Sequence, residues 1–270
     1  MTGLKDIILH LLRLLAQILT AIRGQKSALQ EEQPQAEQVD TTETVPVTSP
    51  IPDPEPEPPV IVAHRITTAR YVPTVNQSSH EIEPRYLLTH YTANGGMQDT
   101  IDWFRSEKSK ASAHLIVGRD GELVQMVDFN RKAWHAGESR WGDTWALNEC
   151  SIGVELVNWG PLTMRNGLLI PWTRNESDAV DISDAIQLRR TKDGKMMWWQ
   201  RYTDEQLEVY FNVAREVFRA YDLIDSLGHE DVSSFRGKQD PGPAFPLRQL
   251  REFCFSDVPF RDKDGKTMLG

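Results

Sequence analysis

Cysteine is scarce: of 270 residues only Cys150 and Cys254 carry a thiol. Neither belongs to a C-x-x-C pair, so no disulfide framework and no cysteine-built metal site is expected. Both read as small buried hydrophobes. A basic stripe is also missing. Lys and Arg total 30 against 39 Asp and Glu, a formal net charge of −9. Most of this is local, because residues 25–59 hold eight acids and one base, Lys26. The rest is nearly neutral and lacks the clustered cations that neutralise phosphates, so nucleic acid is not an expected partner. The apolar stretch at residues 4–23 is interrupted by His10, Arg13 and Gln17, so a transmembrane span is not expected. Asp6, Arg13 and the want of a small-x-small cleavage site argue against a signal peptide, which implies cytoplasmic synthesis. A hydrophobic content of 39% allows one sizeable core.

What is present divides the chain into segments. Residues 1–24 read as an isolated amphipathic helix. Leu4, Ile8, Leu11, Leu15, Ile18 and Ile22 form an a/d seam of coiled-coil type. Such a stripe must be buried, and three burials compete: self-association into a homo-oligomer, a membrane surface, or docking on the rest of the chain. Residues 25–59 hold eight of the sixteen prolines among Glu, Gln, Thr and Ser. Proline fixes φ and lacks a donor, so this stretch reads as a disordered, extended linker. Residues 60–257 have globular composition, and 258–270 form a tail.

Within 60–257, Y-L-L-T-H-Y-T (86–92) and S-I-G-V-E-L-V-N (151–158) read as strands, with a short helix near 97–106. Residues 112–127 read as a hairpin around Asp120-Gly121. Thr203 opens a helix, with Gln206 completing a capping box. Leu207, Tyr210, Phe211, Ala214, Val217, Phe218 and Tyr221 form its core face. Strands interleaved with helices predict an α/β domain with a mixed central β-sheet flanked by helices. Residues 159–201 are weakly patterned and read as a long loop whose tryptophans pack down as one wall of a cleft.

Chemistry concentrates at strand and loop ends. His90 ends an apolar strand, His229 follows a glycine in L-G-H-E-D, and Asp240 lies in K-Q-D-P-G-P. Two His and one carboxylate suit catalytic zinc, although no spacing rule joins residues so far apart. Six segments in order, L-L-T-H-Y-T, S-A-H-L-I-V-G-R-D-G-E-L-V-Q, A-W-H-A-G, S-I-G-V-E-L-V-N, G-H-E-D-V and K-Q-D-P-G-P-A-F-P, change this. Over about residues 80–250 the chain closely resembles the zinc-dependent N-acetylmuramoyl-L-alanine amidases of type 2. That family includes phage endolysins and the peptidoglycan recognition proteins.

The resemblance implies one zinc ion per catalytic domain, held by His90, His229 and Asp240. It implies Glu155 as the general base and Lys238 as the cation that stabilises the oxyanion. The phage lysozyme-like members often place Cys at the third ligand and Tyr before the hairpin His; here these are Asp240 and Ala113. His135 reads either as a substrate-groove residue or as a packing residue behind the metal ligands. Trp134 is expected as a groove wall and Asn94 as a substrate contact. His114, among apolar strand neighbours, reads as structural.

The implied activity is cleavage of the amide between N-acetylmuramic acid and L-alanine in peptidoglycan or a muropeptide. Completeness of the ligand set argues against a non-catalytic binding module. A tethered helix suits an enzyme acting on polymeric wall, where avidity raises local concentration. The expected setting is therefore a phage- or prophage-type endolysin or a bacterial cell-wall amidase. The alternative is a cytosolic amidase that recycles soluble anhydro-muropeptides. Deleting residues 1–24 is expected to lower the mass seen in light scattering if the helix self-associates; an unchanged mass leaves membrane binding or docking.

Overall fold

The computed structural model describes residues 59–255. The expected N-terminal helix with its candidate partners, the linker up to residue 58 and the tail at 258–270 lie outside the described residues. In chain order come Arg70–Tyr71 (β1), Tyr86–Tyr91 (β2), the helix Met97–Arg105 (α1), Leu115–Val117 (β3), Leu123–Gln125 (β4) and Ser151–Leu156 (β5). Pro161–Arg165 (β6), Leu168–Ile170 (β7), Ala185–Arg189 (β8) and Met196–Gln200 (β9) follow. The helix Asp204–Tyr221 (α2) then leads to Asp225–Gly228 (β10), His229–Ser233 (α3) and Leu247–Cys254 (α4).

The central sheet runs β10-β2-β5-β3-β4-β1. The neighbours β10, β2, β5 and β3 are parallel, β3 and β4 antiparallel, and β4 and β1 parallel. This is the expected mixed α/β sheet with flanking helices. The hairpin turns where the sequence placed it: Gly121 takes φ 82°, and Asp120 Oδ1 accepts from the Glu122 amide at 3.0 Å.

Alternation sorts the side chains by face. Leu87, Leu115, Val117, Ile152, Val154 and Leu156 pack with Tyr210, Val213, Ala214 and Val217 of α2. Out of phase with them, Ile116, Val124 and Met126 pack with Ile101 and Phe104 of α1. Each such leucine contributes about 1.5–3 kcal/mol through burial. Thr89 shares the α2 face, its Oγ1 lying 2.6 Å from Tyr210 Oη. His90 and Glu155, one residue out of phase with Thr89 and Val154, therefore project from the opposite face.

Three expectations need correction. Thr203 caps α2 by accepting from the Gln206 amide at 3.2 Å, but Gln206 does not reach back to close a capping box. Its side chain is fully buried and Nε2 donates to the carbonyls of Val117 (2.9 Å) and Val157 (3.2 Å). Past the end of β5 the Val157 carbonyl has no backbone donor, whereas the Val117 carbonyl also accepts from the Val157 amide at 2.9 Å; an unpaired buried carbonyl costs more than an open cap. Residues 159–201 are the second case. They form an antiparallel sheet, β7-β6-β9-β8, and not a loop. Leu162, Leu169, Val180 and Ala185 make its small core against Trp159 and Trp198. Asn166-Gly167, at φ 49° and 81°, is the two-residue turn joining β6 to β7. Cys254 is buried as expected, whereas Cys150 is only partly buried.

Thr203→Ala is expected to cost about 1 kcal/mol, the usual worth of an N-cap. Gln206→Ala should cost more, because it leaves the Val157 carbonyl unpaired at about 1–3 kcal/mol and removes a second bond to the Val117 carbonyl. Urea unfolding of the two variants checks the order.

Candidate metal centre and active site

Register brings the candidate ligands together. In the parallel pairing of β5 with β2, Glu155 stands opposite His90; in that of β10 with β2, Gly228 stands opposite Thr89. His229, the next residue, therefore emerges beside His90. Gly228 has no room for a side chain, since a Cβ there would lie 2.7 Å from Pro241 Cδ. Its amide donates to Asp231 Oδ2 at 2.9 Å, which starts α3. The Glu230 amide donates to the Asp240 carbonyl at 2.8 Å and ties the third segment to the second.

Three atoms converge. His90 Nδ1 lies 3.0 Å from His229 Nδ1 and 3.1 Å from Asp240 Oδ2, and His229 Nδ1 lies 2.9 Å from the same oxygen. All three residues are buried. A metal bound at ~2.0–2.1 Å in tetrahedral geometry requires ligand edges of roughly 3.3 Å, close to this triangle. Protonation points the same way. His229 Nε2 faces the Ala136 carbonyl at 3.2 Å, an acceptor, so Nε2 carries the proton and Nδ1 the lone pair. His90 Nε2 faces His135 Nδ1 at 3.1 Å, so a proton on His90 Nε2 leaves its Nδ1 bare as well. Two lone pairs and a carboxylate oxygen this close repel one another unless positive charge sits among them. The residues thus fit a divalent metal.

Electrostatics support this arrangement. Burial, then the neighbouring His229, pushes His90 down to about 4, so it is a neutral ligand. Burial alone would raise Asp240, but its close contacts with His229 and His90 outweigh it and hold the carboxyl well below its usual range. Glu155 behaves oppositely. Burial, then the charge of Asp240, raises it to about 8 against the opposing pull of Lys238. Its Oε2 is buried without a hydrogen-bond partner. Positive charge held by the ligand triangle would lower that value again.

The remaining candidates surround a cleft of about 390 Å³, lined among others by Glu155, Lys238, Asn94, Trp134 and His135. His135 bonds His90 through Nδ1, and its Nε2 is 3.5 Å from Ser151 Oγ. It therefore lies behind a ligand and also faces the cleft. Asn94 has committed its Oδ1 to the Gly96 amide and to Thr100 Oγ1, both at 3.1 Å, leaving Nδ2 for a ligand. Trp134 leans on Ser78 Oγ at 3.3 Å. His114 is structural, as expected: Nδ1 accepts from the Gly153 amide at 2.9 Å and Nε2 donates to the Arg131 carbonyl at 2.8 Å.

Sequence reasoning overlooked Gly153. A Cβ there would lie 2.4 Å from the His135 ring, so the glycine is the seat of that ring. It also overlooked Tyr91, Gln239 and the half-exposed Trp103, which line the cleft. The inserted sheet was expected to supply a wall, and its tryptophans do reach the loops beside the ligands. Trp159 lies over Gly95, Trp199 over Gly242, and Trp172 Nε1 donates to the Ala93 carbonyl at 2.6 Å.

A profile of the N-acetylmuramoyl-L-alanine amidase family matches residues 80–243, which contain every residue of the site. The chain belongs to that family. It is 31% identical over 144 residues to the 1,6-anhydro-N-acetylmuramyl-L-alanine amidase AmpD of Escherichia coli, covering 53% of this chain and 57% of that protein. It is 25% identical over 176 residues to the N-acetylmuramoyl-L-alanine amidase AmiD of Escherichia coli, covering 62% of this chain and 52% of that one. The chain thus spans about half the length of these curated relatives. A crystal structure of an AmpD derivative superposes with a TM-score of 0.49 at 24% identity, over 72% of this chain and 98% of that one.

The buried groups set a pH dependence for the metal-free protein. His90 and His114 stay neutral down to about 4 when folded, whereas the unfolded imidazole protonates near 6.5. The unfolded state binds more protons in that window, so these residues make stability fall as pH drops from 6.5 toward 4. Glu155 has the opposite sign: the folded state keeps its proton up to about 8 while the unfolded carboxyl loses it near 4.5, so its contribution falls as pH rises through that range. Glu155→Gln should therefore raise the Tm of chelated protein near neutral pH and leave it almost unchanged near the unfolded value. Melting curves at both pH values check this; equal shifts at both would contradict the burial of a protonated Glu155.

Proposed function

We propose that the domain is a zinc-dependent amidase that cuts the amide between N-acetylmuramic acid and L-alanine. The observation that carries this reading is the pairing of the ligand triangle with Glu155 on the adjacent strand, whose Oε2 is buried without a hydrogen-bond partner. His90, His229 and Asp240 would hold the zinc ion, which when bound supplies a Lewis acid and acidifies water. Glu155 takes a proton from the attacking water as its oxygen bonds to the amide carbon. Glu155 then delivers that proton to the leaving nitrogen as the C–N bond breaks; a raised proton affinity suits both halves of this transfer. Lys238, beside the same cleft, places a positive charge where the carbonyl oxygen becomes negative. His135 holds His90 in the tautomer that leaves Nδ1 free. Trp134 and the Nδ2 of Asn94 line the path of the muropeptide.

The expected substrate is polymeric wall, as a lytic or remodelling activity. Similarity to a protein named 1,6-anhydro-N-acetylmuramyl-L-alanine amidase supports a second reading, soluble anhydro-muropeptide as substrate. Mass spectrometry of digests of purified sacculi and of soluble anhydro-muropeptide distinguishes the two and identifies the bond. Chelation should abolish release of L-Ala-terminated peptide, and zinc should restore it. Glu155→Gln should retain zinc and lower kcat by about 10²–10⁴-fold. Activity that survives thorough metal removal would sink the zinc mechanism, and near wild-type turnover of Glu155→Gln would remove Glu155 from the base role.

A further inference from the structure

Trp172 has no explanation in the core. It lies in the tight turn Pro171–Arg174, closed by the Arg174 amide donating to the Pro171 carbonyl at 3.1 Å. Turns favour small and polar residues, yet this indole is 67% exposed. Its N–H is satisfied by the carbonyl of Ala93, a residue that lines the catalytic cleft. The ring is therefore fixed in orientation at the cleft rim and still open to solvent. An aromatic face ordered before binding loses little entropy when a ligand settles on it.

We propose that Trp172 is a stacking platform for a pyranose ring of the glycan strand, the sugar next to the muramic residue whose amide is cut. This rests on the amidase reading above and adds a subsite to it. A pyranose offers a flat face of C–H groups with hydroxyls around its edge, which matches an indole face at a wet rim. The stem peptide is a poorer occupant. The turn carries Arg174 and runs into Glu176 and Asp178, so the acids outnumber the base beside the ring and disfavour an anionic peptide but not a neutral sugar. Trp103, 56% exposed and also lining the cleft, adds a second aromatic surface on the α1 side.

The test compares Trp172→Ala with Trp172→Phe, since phenylalanine keeps an aromatic face and loses the N–H that anchors the loop. Two substrates carry the same stem peptide, one on a single muramic acid and one on a tetrasaccharide. Trp172→Ala should raise KM for the tetrasaccharide about 5-fold, in the range of an aromatic stacking contact. It should leave kcat and the single-sugar KM unchanged, and Trp172→Phe should stay within about twofold of wild type on both substrates. Equal effects of Trp172→Ala on the two substrates, or equal effects of Ala and Phe, would overturn the proposal in favour of a loop staple. A peptide-free tetramer of β-1,4-linked N-acetylglucosamine, titrated by NMR, separates this question from catalysis. Binding that Trp172→Ala abolishes supports the platform even if wild type cleaves neither substrate, and binding that Trp172→Ala leaves intact refutes it.

Discussion

Three parallel strands, β10, β2 and β5, place His229, His90 and Glu155 in one row at the carboxyl edge of the sheet. Backbone hydrogen bonds fix that row, and the fold on either side maintains it. The α2 face fills with Leu87, Ile152, Val154 and Leu156, so the intervening residues have only the other face to occupy. A slip of one residue in either pairing would send His90 or Glu155 into the core under α2. Asp240 comes from outside the sheet and needs its own tether, which the Glu230 amide provides.

Behind the ligands the histidines divide the work. His114 accepts from the Gly153 amide and donates to the Arg131 carbonyl, so it holds β5 against its neighbours. His135 lies over Gly153 and contacts His90 and Ser151. Burial keeps both neutral, and neutral imidazoles can pass orientation from ring to ring without gathering charge. The charges that remain close together are the carboxylate of Asp240 and, when ionised, that of Glu155. With Lys238 on the cleft wall, this is a site short of positive charge.

Legibility in the sequence followed the range of the signal. Local signals served well: alternation in 86–92 and 151–158, Asp120-Gly121 at the hairpin, and the 3.6-residue face of α2. His90, His229 and Asp240 are separated by up to 150 positions, and only the ordered motifs joined them. Gly153 escaped notice because its reason is another residue's ring, which no local pattern records. The sheet at 161–200 was hidden because its strands are short and their burial does not alternate cleanly, although Asn166-Gly167 was a usable turn signal. Gln206 was misjudged because an N3 glutamine is ordinarily a local capping residue, whereas here two sheet carbonyls compete for its amide.

The inserted sheet touches both banks of the cleft. Trp159 and Trp172 rest on the loop after β2, at Gly95 and Ala93. Trp199 rests on Gly242, and Thr191 stands within hydrogen-bonding reach of Glu230, next to His229. A single folded strut thus spans from the loop behind the first ligand to the segment carrying the other two. A part of the chain that supplies none of the three converging side chains, nor Glu155, borders the cleft. Trimming or lengthening the strut would reshape the mouth of the cleft while His90, His229 and Glu155 stay where the parallel strands put them.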